Sequence, residues 1–113
     1  MDDFPEFMKS IENSISASSQ SKGIEGWVYD GVDGKQMVYW KCNINGTSDE
    51  HTHDFDEYFI VIQGIYTLII NGEKIPIRAG EEYFILKGVP HAGEYVAGTR
   101  TIHCFGGKRA NRA

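Results

Sequence analysis

Residues 46–64 read Gly-Thr-Ser-Asp-Glu-His-Thr-His-Asp-Phe-Asp-Glu-Tyr-Phe-Ile-Val-Ile-Gln-Gly. Two of the four histidines in the chain, His51 and His53, stand here one residue apart. A third, His91, follows Pro90 in a second glycine-containing segment. The second half of the stretch, Glu57 to Gln63, is a β-branched and aromatic run stopped by Gly64, the pattern of a short strand. In extended chain, residues two apart project to one face, about 6.6 Å from each other. His51, His53 and Glu57 are all odd-numbered, so an extended segment aims all three the same way. Imidazole nitrogens and a carboxylate converging on one point make a metal site, with bonds of about 2.0–2.2 Å. His91 opens a later strand, after the sharp Gly88-Val89-Pro90 turn, and fits as the fourth ligand. Such a set suits one divalent transition metal per chain (Fe, Mn, Ni, Zn or Cu), and donor type does not separate these.

Taken singly, each residue has a plainer reading. A lone histidine is more often a surface or hydrogen-bonded core residue than a ligand. Glu57 reads equally as a solvated strand residue. Asp49, Glu50, Asp54 and Asp56 make the segment an ordinary charged loop.

Working outward, strand patterns fill the chain from Trp27 onward. Trp27–Tyr29, Gln36–Ile44, Ile65–Ile70, Lys74–Ile77, Glu82–Leu86, His91–Val96 and Thr99–Phe105 join Glu57–Gln63, with turn signals between them. Asn71-Gly72 is the strongest of these signals, because a two-residue hairpin of type I′ needs positive φ at both positions. Many short strands at close spacing give an all-β sandwich or barrel. Residues 1–15 read as one short amphipathic helix with Phe4, Phe7, Met8, Ile11 and Ile15 in a single stripe. Small polar residues at 16–23 link it to the sheet region. The organisation expected is therefore an N-terminal helix and linker over 1–23, a barrel over 24–106, and a flexible, basic, solvated tail over 107–113.

Composition bounds the rest. The 113 residues make one domain, with 13 glycines, above the usual frequency of about 7%. A net charge of −5 argues against a nucleic-acid backbone as partner. No apolar run approaches the ~18 residues of a membrane span, and the acidic Met-Asp-Asp-Phe-Pro-Glu-Phe start lacks the apolar core of a signal peptide. A cytoplasmic protein without nucleic-acid or membrane partners is expected. Cys42 and Cys104 form no CxxC pair and read as free, buried thiols.

The joint pattern resembles the cupin family. Gly46, His51, His53, Glu57 and Gly64 occupy the places of its first motif, with the gap from Gly46 to His51 one residue shorter than usual. Gly80, Gly88 and His91 occupy those of the second. Leu86 stands where the family has proline, and Tyr95 where it often has asparagine. The resemblance spans about residues 25–106. It implies a double-stranded β-helix, that is, a jelly-roll barrel of two sheets, with His51, His53, Glu57 and His91 as ligands of a metal near one mouth. It also implies a homodimer, as is usual for single-domain members.

Four protein ligands leave about two positions open on a six-coordinate metal, enough for water, dioxygen or a bidentate substrate. The expected function is a small metal-dependent enzyme, dioxygenase- or isomerase-like, acting on a small polar molecule. The alternatives are a metal-containing module that binds or senses a small ligand, and a barrel whose metal is structural. No helix-turn-helix precedes the barrel in this sequence, which favours the enzyme over a transcriptional regulator. Phe59, Val61 and Gln63 share the face of Glu57; the first two read as barrel packing. Gln63 and His103 are the candidates for a catalytic role. His103 lies on the last strand, and its plainer reading is a hydrogen-bonded structural histidine.

Overall fold

Alternation of side chains along the strands builds the barrel wall. The computed structural model describes residues 1–16 and 23–113. In β4 (Glu57–Gln63) the odd positions Glu57, Phe59 and Val61 are buried, while the even ones face outward. The other strands among the described residues are β1 (Ile24–Asp30), β2 (Gln36–Cys42), β3 (Gly46–His51), β5 (Ile65–Ile70), β6 (Glu73–Arg78), β7 (Glu82–Ile85), β8 (His91–Tyr95) and β9 (Arg100–Phe105). They form two antiparallel sheets, one ordered β1-β2-β9-β4-β7 and the other β3-β8-β5-β6. Phe59, Val61 and Ile85 from the first sheet pack on Leu68 and Ile77 from the second, which closes the core between the sheets. This is the jelly-roll barrel expected from the sequence.

Several elements match their sequence signals closely. The bounds of β4 and β5 are those read from the residues. The hairpin between β5 and β6 turns on Asn71 and Gly72, with φ of 54° and 75°. That is the positive-φ pair a type I′ turn demands.

The N-terminal segment differs from its expectation. It carries helix as two separate 3-10 turns, Glu6–Met8 and Ile11–Asn13, in place of one run over 1–15. Tertiary pairing explains the break. Ser14 bridges Trp27, Ile15 bridges Arg112, and the Ile15 amide donates to the Gly26 carbonyl at 3.0 Å, which a helix continued to residue 15 would forbid. The apolar stripe divides accordingly. Phe4 packs against Trp27 and Tyr39 on the outer face of the first sheet, and Ile15 joins Val28, Val38 and Phe105 in a core cluster. Phe7 and Ile11 stay in solvent, each 81% exposed. Residues 17–22, most of the expected linker, lie outside the described residues.

The C-terminal segment is bonded to the barrel where a free solvated tail was expected. The Gln36 side chain accepts from the amides of Arg109 (2.7 Å) and Ala110 (2.9 Å) and donates to the Ala110 carbonyl at 3.1 Å. Ala110 is buried in the cluster with Ile15 and Val28. The Ser16 amide donates to the Asn111 carbonyl at 2.7 Å, and the Ala113 amide to the Ser14 carbonyl at 2.8 Å. The two terminal segments thus lie side by side over the β1 end of the barrel.

Candidate metal centre

The site begins with a polar strand that offers no apolar pattern to read. β3, Gly-Thr-Ser-Asp-Glu-His, pairs with β8 through Ser48↔Gly93 and His51↔His91. Three steps along β3 match two along β8, so one extra residue is bulged out at Asp49 and Glu50. The bulge lets Ser48 and His51 share the inner face although one is even and the other odd. His51 therefore sits directly across from His91. Gly46 belongs to this strand and makes room for a neighbour: a Cβ there would lie 2.7 Å from the Tyr95 hydroxyl.

After His51 the chain leaves β3, bends at Asp54 and Phe55, and enters β4 in the opposite sheet at Glu57. The single extended strand supposed for His51, His53 and Glu57 is therefore not what joins them. They converge because two sheets meet at the barrel mouth, with His53 on the connection. That connection is tied to the turn before His91. The Gly88 amide donates to the His53 carbonyl at 2.9 Å, and the Lys87 amide to Asp56 Oδ1 at 2.9 Å. Leu86 leaves the turn tight: its carbonyl accepts from the Val89 amide at 3.2 Å.

His51, His53 and His91 place one ligand nitrogen each within 4.8 Å of one another. Nitrogens about 2.1 Å from a shared ion stand about 3 to 4.2 Å apart, so modest side-chain closure completes a triad. Two of the rings are set in the tautomer a metal needs. His51 Nδ1 lies 2.8 Å from the Asp49 carbonyl and His91 Nδ1 lies 3.0 Å from the Val89 carbonyl. A carbonyl only accepts, so both Nδ1 atoms carry hydrogen and each neutral ring keeps its lone pair on Nε2.

Glu57 stands against the triad. Its Oε1 is 3.4 Å from His53 Nε2 and 3.5 Å from His91 Nε2. His53 Nε2 and Glu57 Oε1 are both buried without a hydrogen-bond partner. An unpaired buried polar atom costs about 1–3 kcal/mol, and more when it is charged. Two of them facing each other beside two rings with inward lone pairs fit a cation bound between them. The residues present therefore suit a metal ion.

His103 completes the arrangement from behind. Its Nδ1 meets Glu57 Oε2 at 2.8 Å and its Nε2 meets Thr101 Oγ1 at 2.9 Å. The ring is buried and stacks between Phe59 and Phe105, with centroids 4.9 and 5.9 Å away. With one carboxylate oxygen held by His103, the other is left to face the triad. His103 thus positions the Glu57 carboxylate. Gln63, the other catalytic candidate, is not brought to the site. A register shift after Val61 takes it out of the inner alternation, and its Oε1 accepts from Arg100 Nε at 2.7 Å.

Burial and charge oppose each other across the group. Burial alone would raise the Glu57 carboxyl, but the rings of His103, His53 and His91 outweigh it and hold it well below the usual carboxylate range. Burial would lower His91, yet Glu57 and the Val89 carbonyl win and raise it. For His51 burial dominates and its pKa is lowered.

Beneath His51, His53, Glu57 and His91 lies a cavity of about 80 Å³ walled by Phe59, Tyr66, Leu68, Ile85 and Tyr95, among others. Burial pushes the Tyr66 phenol up to about 12, so it stays protonated. Cys42 also lines the cavity, and burial raises its thiol to about 12, which leaves it unreactive as a nucleophile. Cys104 is exposed, contrary to the expectation of two buried thiols; it sits on the outward alternation of β9. Arg109, which the sequence left in a solvated tail, lines the cavity too. The only sequence signal for it is a basic residue in a glycine-containing segment.

Residues 38–105 match the family Cupin_2, described as a cupin domain. A 57-residue stretch is 37% identical to the uncharacterized HTH-type transcriptional regulator YdeC of Bacillus subtilis, covering 50% of this chain but 20% of that protein. The fold superposes on KdgF from Halomonas sp. with a TM-score of 0.68 and 17% identity, over 88% of this chain and 93% of that one. It also superposes on a salicylate 1,2-dioxygenase from Pseudaminobacter salicylatoxidans, with a TM-score of 0.69 and 13% identity over 75% of this chain and 26% of the other. At such identities the structural likeness speaks for the fold alone. The family match spans more than half of the sequence, over the strands that build the barrel and its histidines, and the chain belongs to the cupin family.

Proposed function

We propose that this chain is a small metal-dependent enzyme, dioxygenase- or isomerase-like, acting on a small polar molecule. In this reading His51, His53, Glu57 and His91 hold one divalent transition metal (Fe, Mn, Ni, Zn or Cu). The observation that carries it is the facing pair of partnerless buried atoms, His53 Nε2 and Glu57 Oε1, beside the inward lone pairs of His51 and His91. A bound metal supplies Lewis-acid polarisation of a substrate oxygen, or a redox centre if it is Fe, Mn or Cu. The chain's own residues do the rest. His103 holds Glu57 in place, the Asp49 and Val89 carbonyls hold two rings in the ligating tautomer, and Phe59, Leu68 and Ile85 give the cavity beside them apolar walls.

The solved dioxygenase of the same fold agrees with this class without fixing the reaction. A second reading, a ligand-sensing module, is favoured by the Bacillus subtilis relative, whose name is that of a transcriptional regulator and of which this chain spans about a fifth. No described helix is long and apolar enough to cross a membrane. We further place the protein in the cytoplasm as a homodimer. The outer face of the first sheet leaves Met37, Ile62 and Phe84 exposed, which supports pairing through that face.

The test is elemental analysis with native mass spectrometry of untagged protein purified without chelator. One metal per chain is expected, and His51→Ala and His91→Ala should each abolish it. Full occupancy in His91→Ala protein would refute the four-ligand assignment. Dioxygen uptake is then followed over diketones, thiols and catechols with the Fe, Mn and Ni forms. Silence throughout, with metal bound, moves the reading to the sensing module.

A further inference from the structure

The inner face of the second sheet carries hydroxyl groups that the proposed metal centre does not use. Ser48 on β3 and Tyr66 on β5 flank β8, with Gly93 between them: Ser48 pairs with Gly93, and Gly93 with Leu68. Glycine at that place lets the two side chains meet. A Cβ on Gly93 would fall 2.0 Å from the Tyr66 hydroxyl, so the phenol lies across the bare backbone of β8. Burial pushes that phenol up to about 12, and Ser48 is close enough to oppose part of the rise. Yet Ser48 Oγ is buried and makes no hydrogen bond.

Both hydroxyls border the cavity of about 80 Å³ from the second sheet, and Phe59 and Ile85 border it from the first. The space therefore joins a pair of hydroxyls to an apolar wall. A buried hydroxyl without a partner is destabilising, and what relieves Ser48 must come from the cavity. One water would relieve it. But the cavity is several times the ~10–15 Å³ that one water requires, and Phe59 and Ile85 offer further waters no bonds. A short molecule with one polar end and an apolar body fits better. The donors decide what that end is. A phenol that stays protonated donates, and so does a serine hydroxyl. A carbonyl oxygen has two lone pairs and accepts from both, whereas an ammonium would leave both hydrogens unpaired.

We propose that Ser48 and Tyr66 form a subsite for the carbonyl oxygen of a small ligand, held by two hydrogen bonds, with the ligand's apolar part against Phe59 and Ile85. This deepens the metal-enzyme reading and rests on it for calling the ligand a substrate. The hydroxyls belong to the chain and act whether or not metal is bound.

The experiment is NMR titration of isotope-labelled protein with cyclopentanone, and with cyclopentane as the probe of the same ring without the oxygen. Wild type, Tyr66→Phe and Ser48→Ala proteins are each measured as purified and after chelation, with metal content and circular dichroism recorded. Wild type should bind cyclopentanone with shifts centred on Ser48, Leu68 and Gly93. Each substitution should weaken cyclopentanone by at least about threefold, the size of one net hydrogen bond, and leave cyclopentane within about twofold. Comparing one probe across variants cancels its own transfer from water. A wild type that does not bind cyclopentanone overturns the proposal. So do variants that bind it as tightly as wild type, because the hydroxyls then serve water only, and so does an equal loss for both probes, which reports a change of cavity shape. A wild type that holds no metal yet loses cyclopentanone affinity on either substitution sinks the metal reading and leaves this one standing. A metal-loaded wild type whose affinity neither substitution moves does the reverse.

Discussion

At the scale of single residues, His103 and His91 divide the work around Glu57. His103 holds one carboxylate oxygen at 2.8 Å and is itself held by Thr101. Removing such a partner typically costs 10–100-fold in metal affinity. His103→Ala is therefore expected to weaken metal binding by about that factor while still reaching one ion per chain at saturation. His103→Gln, which restores a donor, should recover part of the loss. Competition with a chromophoric chelator reads both, and affinity unchanged in His103→Ala would remove the positioning role. His91 governs the pH dependence. Its raised pKa contributes stability that is complete below the unfolded value of about 6.5 and lost as pH rises through the folded one. Glu57 shifts the other way, so its contribution is present above about pH 4.3 and lost as pH falls toward its folded value. Both charges are in place between about pH 4.3 and 6.5, where they stabilise the chelated protein most. A metal bound through His91, as proposed, must displace its proton, so the stabilisation by metal should grow with pH. The difference in Tm between metal-loaded and chelated protein should widen from about pH 5.5 to about pH 8 across the histidine range. A difference that narrows over that interval contradicts a ligand role for His91.

At the scale of strands, the site depends on close approaches that only glycine permits. A Cβ on Gly93 in β8 would fall 2.0 Å from the Tyr66 hydroxyl and 2.3 Å from its ring. Tyr66 is packed over His103 and Phe59 and has little room to give. Gly93→Ala should therefore destabilise by about 1–3 kcal/mol, as overpacked cores do, and constrict the cavity. Urea denaturation reads the first effect, and wild-type stability in this variant would show that Tyr66 moves freely. These strands also show how far the sequence could be read. β4 was legible because Glu57, Phe59 and Val61 alternate cleanly, and the β5–β6 hairpin because Asn71-Gly72 names its turn. β3 was not, because Gly-Thr-Ser-Asp-Glu-His has no apolar alternation and its pairing is set by β8. Odd-number parity brought His51, His53 and Glu57 together for a reason the fold does not use. A bulge resets the alternation before His51, and a change of sheet separates His53 from Glu57. The residues were legible from their chemistry and family spacing; the geometry joining them was a long-range property.

At the scale of the molecule, the barrel is closed by segments that local patterns describe poorly. Composition made residues 107–113 a solvated tail, yet one side chain, Gln36 on β2, makes three hydrogen bonds to Arg109 and Ala110. A contact 74 residues apart in sequence leaves no periodic trace. The same holds for the N-terminal stripe, where Phe4 was claimed by Tyr39 and Trp27 while Phe7 was left in solvent. Gln36 is buried, so truncating it strands two backbone amides and a carbonyl away from their partner. A net hydrogen bond is worth about 0.5–1.5 kcal/mol, and a buried group left unpaired costs about 1–3 kcal/mol. Gln36→Ala is thus expected to destabilise the protein by about 2–4 kcal/mol on that basis, the backbone groups regaining some water as the segment lifts. Because the proposed metal ligands sit on other elements, metal stoichiometry should stay at the wild-type level. Amide exchange should accelerate at Arg109, Ala110 and Ser16, which share the anchored strip, and remain slow in β4 and β9. Protection at Arg109 and Ala110 that survives the substitution would show that the C-terminal segment is held by its apolar contacts, with the Gln36 clip secondary.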